Sequence, residues 1–132
     1  MSVIGIGVDL VECARIQHSL DRFGEKFLRR VFTEGEIEYS MSMKFPARHL
    51  AARFAAKEAV YKCQFAVTGA YVGFRGVHIE LGAGTFSATL TAPVRSLPAG
   101  FSFAGEWRRA NDEVFTAVWL RAGHLDFAAS AR

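Results

Sequence analysis

Hydrophobic residues alternate with small or polar residues at the start of the chain, which predicts a β-strand over residues 3–10. One face of this strand carries only apolar side chains, namely Ile4, Ile6, Val8 and Leu10. The other face carries Gly5, Gly7 and Asp9, so it is bare until it ends in a carboxylate. Because glycine has no side chain, a helix or a ligand can approach this second face closely.

Helical spacing of apolar residues follows the strand. It predicts a helix over residues 11–23, a short helical segment over 27–31 and a third helix that ends near Met41. Thr33 and Glu36 have the spacing of a capping box at the start of the third helix. The longest predicted helix covers residues 47–65, after Pro46. We expect its apolar stripe to lie in the core rather than to stack on bases; the stripe consists of Leu50, Phe54, Tyr61 and Phe65.

The second half of the chain returns to alternation and predicts two β-hairpins. The first joins residues 77–81 to 85–91, and the second joins residues 101–109 to 113–121. The predicted fold class is therefore α+β, with an N-terminal strand, helices that include one long basic helix, and an antiparallel β meander. We expect a single domain over residues 1–123 and a flexible tail over residues 124–132.

The composition is that of a folded protein. Hydrophobic residues make up 51% and aromatic residues 13% of the 132 positions, which is too apolar for a disordered chain. No apolar run approaches the roughly 18 residues of a membrane span, and the first residues lack the basic segment of a signal peptide. Cys13 and Cys63 are the only cysteines, and we expect both to be buried, reduced thiols in a cytoplasmic protein.

Positive charge is concentrated on and just before the longest helix. The net charge is +3, and residues 44–62 carry five cations with Glu58 as the single acid. The five are Lys44, Arg48, Arg53, Lys57 and Lys62. This pattern indicates a phosphorylated ligand, a nucleic acid or an acidic protein as partner, although a solvated helix face remains an alternative.

Asp9 and Glu58 are candidate metal ligands. If the longest helix packs on the first strand, the two carboxylates converge among basic residues, an arrangement that suits Mg²⁺ shared with a phosphorylated substrate. The alternatives are a helix-capping Asp9 and a simple helix pair between Glu58 and Lys62. The spacing of His and Cys does not suit zinc, and neither a G-x-S-x-G motif nor a dinucleotide fingerprint is present.

A second group of basic residues lies on the first two helical segments. Arg15, Arg22 and Lys26 belong to it, together with Arg29 and Arg30. They could dock an acidic partner, or they could form an ordinary exposed face of mixed charge with the nearby acids.

Three blocks over residues 3–62 resemble the bacterial holo-acyl carrier protein synthases, a family of 4′-phosphopantetheinyl transferases. The first is Gly5-Ile6-Gly7-Val8-Asp9-Leu10-Val11-Glu12 with Arg15-Ile16, and the second is Phe32-Thr33-Glu34-x-Glu36. The third, Ala51-Ala52-Arg53-Phe54-Ala55-Ala56-Lys57-Glu58-Ala59-Val60-Tyr61-Lys62, resembles the family signature F-x-x-K-E-A-x-x-K. All three occur in the family's order, which makes the resemblance specific.

The resemblance implies an enzyme that transfers 4′-phosphopantetheine from coenzyme A to a serine of an apo acyl carrier protein, with a role in lipid metabolism such as fatty acid biosynthesis. It also implies a homotrimer with active sites between subunits, and no nucleic acid or membrane as partner. By this resemblance Asp9 and Glu58 bind Mg²⁺ and act in catalysis with Lys62. Coenzyme A contacts would come from Arg53, Lys57, Lys62, Gly69 and Ser102, and carrier-protein contacts from Arg15, Arg22 and Lys26.

The second half of the chain departs from the family pattern. The family has a strand that reads roughly V-S-x-S-H, and here Ser102 matches while Gly105 stands at the histidine position. Residues 92–100 are also too few for the helix that the family has there. An active transferase is the leading hypothesis. A catalytically impaired relative that binds coenzyme A or a carrier protein is the second, and a basic nucleic-acid-binding module is the third.

Overall fold

The computed structural model describes residues 2–123, so the predicted tail over residues 124–132 lies outside the described part of the chain. The strands are β1 (Ser2–Glu12), β2 (Val77–Leu81), β3 (Thr85–Leu90), β4 (Ser102–Ala110) and β5 (Glu113–Ala122). The helices are α1 (Cys13–Phe23), α2 (Glu25–Val31), α3 (Glu34–Met41) and α4 (Pro46–Thr68), and a 3-10 turn at Phe74–Gly76 precedes β2. Every predicted strand and helix is present within a few residues of its expected bounds, and the α+β class is confirmed.

The five strands form one antiparallel sheet in the order β1-β5-β4-β3-β2. The pairs β2-β3 and β4-β5 are the two predicted hairpins, whereas β1 joins the far edge of the sheet beside β5. Helix α4 crosses one face of the sheet, which we call the inner face, and contacts β1 and β5 most closely. Residues 92–100 form turns without a helix.

Gly5 and Gly7 explain how closely α4 approaches β1. A Cβ atom on Gly7 would overlap the carbonyl oxygen of Ala59, and one on Gly5 would lie 2.7 Å from Cγ2 of Val67. Any side chain at position 7 would therefore push the helix away from the strand. The expected close approach to the glycine face of β1 is confirmed, and α4 is the element that makes it.

Helix α3 begins with the predicted capping box. Thr33 Oγ1 accepts a hydrogen bond from the backbone N–H of Glu36 at 3.3 Å, and the Glu36 carboxylate accepts one from the N–H of Thr33 at 2.8 Å. These bonds satisfy two of the backbone donors that a helix start leaves unpaired. They also fix the carboxylate of Glu36 against the start of α3.

Cys13 and Cys63 are free and buried as predicted, and burial raises the pKa of both thiols. Among the helices within residues 2–123, none has the length and apolar character needed to cross a membrane.

The apolar stripe of α4 is buried only in its first half. Leu50 and Phe54 are 0% and 8% exposed and pack in one cluster with residues of α1 and α2. Tyr61 is half-buried, and Phe65 is 48% exposed. The expectation that Phe65 lies in the core is therefore wrong, because the sheet packs on a different side of the second half of α4, through Ala59 and neighbouring residues.

The outer face of the sheet carries an uncovered apolar strip at its β1 edge. Ile6, Val8 and Leu10 are 67%, 49% and 56% exposed, and Phe115 of β5, which pairs with Leu10, is 47% exposed. We call these four residues the apolar outer strip. A contiguous exposed apolar surface of this kind is typical of a site that binds another protein surface.

Candidate active site

Asp9, Glu58 and Lys62 meet where α4 crosses β1. The Lys62 ammonium donates a hydrogen bond to Asp9 Oδ1 at 2.8 Å and another to the carbonyl of Val8 at 3.2 Å. Glu58 lies one helical turn before Lys62, and it is close enough for the charge of Asp9 to affect its titration. We call these three residues the carboxylate cluster. The structure brings all three expected catalytic residues together, while their chemical roles stay predictions.

The carboxylate cluster has an electrostatic environment that favours an added cation. Burial raises the pKa of the Glu58 carboxyl, and the nearby charge of Asp9 raises it further. Lys62 and Arg15 act in the opposite direction. The Lys62 side chain is 51% exposed and that of Asp9 is 14% exposed, so the cluster opens to solvent. A cation between the carboxylates would relieve their mutual repulsion.

The donor set of the cluster fits Mg²⁺. Within residues 2–123, no group of three or more His, Cys, Asp or Glu side chains is arranged to hold a metal ion. A complete protein cage, as for a structural zinc ion, is therefore absent from the described part of the chain. Mg²⁺ commonly binds through one or two carboxylates and takes its other ligands from water and substrate phosphates. Asp9 and Glu58 match that requirement.

Lys57 does not belong to the carboxylate cluster. Its ammonium is fully buried and pairs with Glu36 Oε1 at 2.9 Å, and it donates hydrogen bonds to the carbonyls of Phe74, at 2.7 Å, and of Val77. These three contacts use all three N–H donors of the ammonium. The expectation that Lys57 contacts a coenzyme phosphate is therefore corrected, because no donor is left for a ligand.

Glu36 completes a buried arrangement that we call the Glu36–Lys57 clamp. Besides Lys57 and its own capping contact, Glu36 accepts a hydrogen bond from the backbone N–H of Ile79 at 2.8 Å. The clamp thereby joins α3, α4, the 3-10 turn and β2. Desolvation lowers the pKa of Lys57, whereas the Glu36 charge and hydrogen bond raise it. The clamp holds α4 in place rather than offering charge to solvent.

Arg53 is also buried, but it borders a cavity. It is 5% exposed, its guanidinium lies 4.6 Å from the centre of the Tyr39 ring, and Nη1 donates to the carbonyl of His49 at 3.1 Å. Its Nε–H has no hydrogen-bond partner in the structure of residues 2–123. A buried guanidinium with a free donor is suited to an anionic ligand. Because Arg53 and Lys57 are buried, these two cations do not belong to a basic, solvent-exposed face of α4.

The cavity beside Arg53 has a volume of about 480 Å³ and combines cations with aromatic rings. Its lining includes Tyr39, Phe45, Arg48, His49, Trp107 and Arg109. Of these six, sequence reasoning named only Arg48, as part of the basic segment, and missed the others as site residues, because β4, α3 and α4 meet there only in the folded chain. Arg53 lies on a different side of α4 from Glu58, about 140° around the helix. The cavity and the carboxylate cluster are therefore separate in one protomer.

Gly69 lies at the end of α4, and Ser102 lies away from the carboxylate cluster. Gly69 ends α4 in a left-handed conformation with φ +67°, and its N–H donates to the carbonyl of Phe65 at 2.8 Å. Ser102 begins β4 opposite Arg121, whereas Asp9 lies opposite Thr116 of the same strand β5. That offset of five residues corresponds to about 17 Å along the sheet. Within one protomer, Ser102 therefore does not join the cluster.

The expected carrier-protein residues lie on α1 and α2. Arg15 lies 5.6 Å from the centre of the Phe54 ring and close enough to Glu58 to affect its pKa. Arg22 and Lys26 are exposed, and Lys26 borders a groove of about 180 Å³ with Phe23, Phe27 and Arg30. We call this surface the basic α1–α2 surface. It presents both apolar rings and cations.

Comparison with known proteins gives the family. The sequence profile of the 4′-phosphopantetheinyl transferase superfamily matches residues 5–119. A holo-[acyl-carrier-protein] synthase of Shewanella frigidimarina is 46% identical over 80 residues, which are 61% of this chain and 64% of that protein. The chain thus matches less than two thirds of the length of this curated relative.

Solved structures match over nearly the whole fold. The holo-[acyl-carrier-protein] synthase of Neisseria meningitidis has a TM-score of 0.74 at 26% identity, over 92% of this chain and 100% of that chain. A holo-(acyl-carrier-protein) synthase of Bacillus anthracis in complex with CoA (3′,5′-ADP) has a TM-score of 0.73 at 25% identity, over 92% of this chain and 98% of that chain. With the profile match over residues 5–119, these likenesses show that the chain belongs to the 4′-phosphopantetheinyl transferase superfamily.

Proposed function

We propose that this protein transfers 4′-phosphopantetheine from coenzyme A to a serine of an apo acyl carrier protein, with Mg²⁺ as cofactor. The observation that carries the proposal is the carboxylate cluster, in which a lysine ammonium and two carboxylates meet at a solvent-open position in a chain of this family. The relatives of this chain are holo-acyl carrier protein synthases, and one of their structures holds coenzyme A. We expect the protein to act in the cytoplasm, in lipid metabolism such as fatty acid biosynthesis.

The proposed reaction is a phosphoryl transfer. The serine hydroxyl oxygen of the carrier protein forms a bond to the phosphorus that carries the pantetheine arm, and the bond from that phosphorus to the bridging oxygen of the pyrophosphate breaks. The products are the phosphopantetheinyl carrier protein and 3′,5′-ADP, and the serine proton passes to a base. Mg²⁺ held by Asp9 and Glu58 would supply positive charge to the pyrophosphate.

Lys62 would act beside the carboxylates. Its ammonium is half-exposed and already fixed by Asp9 and by the Val8 carbonyl, so one donor remains for a substrate oxygen. In that position it would neutralise negative charge that develops on the phosphate or assist the proton transfer. The base remains one of three candidates: a water molecule, a carboxylate or Lys62.

Assembly of a homotrimer would unite the separate parts of the site. The apolar outer strip supports an assembly, because a trimer would cover its exposed side chains. The Arg53 cavity and Ser102, which lie apart from the carboxylate cluster in one protomer, could then face the cluster of an adjacent protomer. In this proposal the free Nε–H of Arg53 contacts a coenzyme phosphate, and Gly69 and Ser102 contribute contacts to coenzyme A.

The basic α1–α2 surface would bind the carrier protein. The charge of Arg15 lowers the pKa of the Glu58 carboxyl, so Arg15 lies within electrostatic range of it, and Arg22 and Lys26 continue the positive charge along α1 and α2. An acidic carrier protein docked on this surface would bring its serine toward the cluster. Charge complementarity of this kind mainly sets encounter rate and orientation.

The second candidate function is coenzyme A or carrier-protein binding without transfer. Gly105 favours this second candidate, because it stands where the family pattern has a histidine. The Phe86 ring fills the space where a side chain at position 105 would lie, so a histidine is not accommodated there. This candidate shares the ligands of the first and differs only in the chemical step.

A calorimetric titration with coenzyme A tests the metal assignment. We expect wild-type protein to bind coenzyme A more tightly with Mg²⁺ than with EDTA, and Asp9→Asn or Glu58→Gln to weaken binding in Mg²⁺ at least about tenfold, as expected for loss of a charge-assisted contact. Glu38→Gln is the matched control, because Glu38 is an exposed carboxylate on α3. Wild-type affinity and Mg²⁺ dependence in both cluster variants would show that the assignment is wrong.

A further inference from the structure

The Arg53 cavity contains a histidine, His49, beside its arginines. His49 lies near the start of α4 and is half-buried. Its ring meets the Tyr39 ring edge-on, with ring centres 5.9 Å apart, and both side chains line the cavity. The backbone carbonyl of His49 accepts the hydrogen bond from Arg53 Nη1, which holds the two residues together on one side of the helix. An imidazole is therefore fixed at the wall of the cavity.

The surroundings of His49 keep its imidazole neutral. Burial lowers the pKa of His49, and the positive charges of Arg53 and Arg109 lower it further. The titratable groups around the cavity come from three elements: Tyr39 from α3, Arg48 and Arg53 from α4, and Arg109 from β4. Among the described residues that line the cavity, none carries a carboxylate that would favour the imidazolium. A neutral imidazole has one ring nitrogen that accepts a proton, so His49 can act as a base near neutral pH.

The proposed transfer needs an acceptor for the proton of the serine hydroxyl, and the groups of the carboxylate cluster have other partners. The Lys62 ammonium has no lone pair while it donates to Asp9 and to the carbonyl of Val8. In the proposed site, Asp9 and Glu58 direct their oxygens to Mg²⁺. A water molecule is a much weaker base than an imidazole. A neutral histidine is therefore better suited to this proton transfer than the groups of the cluster.

We propose that His49 of one protomer is the general base for the serine hydroxyl at the carboxylate cluster of the adjacent protomer. This inference rests on the proposed function and on the proposed assembly, in which the Arg53 cavity faces that cluster. As the serine oxygen forms its bond to phosphorus, the hydroxyl proton moves to the free ring nitrogen of His49. The bond from phosphorus to the bridging oxygen breaks, and its electron pair leaves with 3′,5′-ADP. The imidazolium lies beside Arg53 and Arg109, so it readily returns its proton to solvent.

The pH dependence of the single-turnover transfer rate tests the role of His49 as a base. We expect His49→Gln to lower this rate about 10²- to 10⁴-fold, as loss of a general base does, and to leave the Kd of coenzyme A unchanged. The wild-type rate should fall in acid as His49 becomes protonated, and this fall should be absent from His49→Gln. His78→Gln is the matched control, because His78 bonds to Thr33 and Glu80 outside the Arg53 cavity. It should keep the wild-type rate and pH profile.

Mixed assemblies test whether His49 acts across protomers. His49→Gln and Glu58→Gln protomers, each inactive alone, are co-expressed and purified as one assembly. In a closed ring that assorts at random, about one quarter of the sites combine an intact His49 with an intact carboxylate cluster from the neighbouring protomer. We therefore expect recovery of about a quarter of wild-type activity. His49→Gln mixed with the double variant His49→Gln/Glu58→Gln should stay inactive.

Three results would overturn the proposal while leaving the proposed function intact. A wild-type rate and pH profile in His49→Gln would show that His49 is not the base. A raised Kd of coenzyme A with an unchanged rate would make His49 a contact to the coenzyme. Mixed assemblies without activity would show that His49 does not serve the adjacent cluster. His49→Asn replaces His49→Gln in each arm if circular dichroism shows that the Gln variant is unfolded. If wild-type protein transfers nothing, the proposed function itself fails, and this inference fails with it.

Discussion

Gly105 lies on the inner face of β4, where the ring of Phe86 occupies the place of its missing side chain. We expect Gly105→His to lower the free energy of unfolding by about 1–3 kcal/mol, because the new side chain must displace that ring from a packed core. Urea denaturation followed by circular dichroism measures the change. Restoring a histidine at this position is therefore expected to cost stability.

Ala104→His is the control for Gly105→His, since Ala104 is half-buried and points to the opposite face of the same strand. The double variant Phe86→Ala/Gly105→His should recover part of the loss, because removal of the ring makes room. Equal denaturation midpoints for Gly105→His and wild-type protein would show that Phe86 does not constrain this position.

Individual side chains were predictable where the signal was local. Asp9 could be placed beside α4, because two glycines on the same face of β1 indicate a close approach. Glu58 and Lys62 could be placed together, because they share one side of the helix. Lys57 was not predictable, because its partner Glu36 lies on another helix, and nothing in the local pattern shows that Glu36 is buried. The burial of Arg53 was not predictable for the same reason, since Tyr39 covers its guanidinium only in the folded chain.

The Glu36–Lys57 clamp decides how four elements meet. We expect Lys57→Met to cost about 3–5 kcal/mol of folding free energy, because it leaves the Glu36 carboxylate buried without its cation. Lys62→Met is the matched control: its ammonium is half-exposed, and its loss should cost about 0–1 kcal/mol. Denaturant titrations of both variants measure the difference.

The two lysine variants should also separate stability from function. Lys62→Met is expected to keep the fold and to slow transfer, whereas Lys57→Met acts through loss of the fold. If Lys57→Met is as stable as wild-type protein and specifically weakens coenzyme A binding, Lys57 contacts the ligand and the clamp is misassigned.

Secondary structure was the most predictable level of this fold. A capping box, a proline before the longest helix and glycine-centred turns are short-range signals, and each marks an element boundary that the structure contains. Which face of each helix or strand is buried was less predictable. Phe65 continues the apolar stripe of α4 in sequence, but the sheet packs on a different side of that part of the helix, so Phe65 remains exposed.

At the scale of the whole molecule, the exposure of the apolar outer strip is the feature that indicates an assembly. We expect wild-type protein to have three times its chain mass of 14.5 kDa by size-exclusion chromatography with light scattering. Ile6→Lys places a charge in the middle of the strip and should dissociate the assembly, because a buried unpaired charge is strongly unfavourable. Thr89→Lys, at an exposed position on β3, is the control and should leave the mass unchanged.

An unchanged assembly in Ile6→Lys would mean that another surface holds the protomers together. A monomeric wild-type protein would instead remove the basis for a site shared between protomers. The sequence alone could not predict this strip as an interface, because Gly5 and Gly7 indicate which face of β1 is closely approached but not what covers the other face. In β1 the glycine face is covered by α4 and the apolar face is exposed, which is the opposite of the usual arrangement in a strand.

Intact-mass spectrometry of the acceptor shows whether this chain transfers phosphopantetheine. Apo acyl carrier proteins are incubated with the protein, coenzyme A and Mg²⁺, beside a holo-acyl carrier protein synthase of known activity. We expect a mass gain of one 4′-phosphopantetheine group on a carrier protein, and we expect this gain to be lost when EDTA replaces Mg²⁺ and in the Glu58→Gln variant. No mass gain on any carrier protein that the control enzyme modifies would contradict the claim.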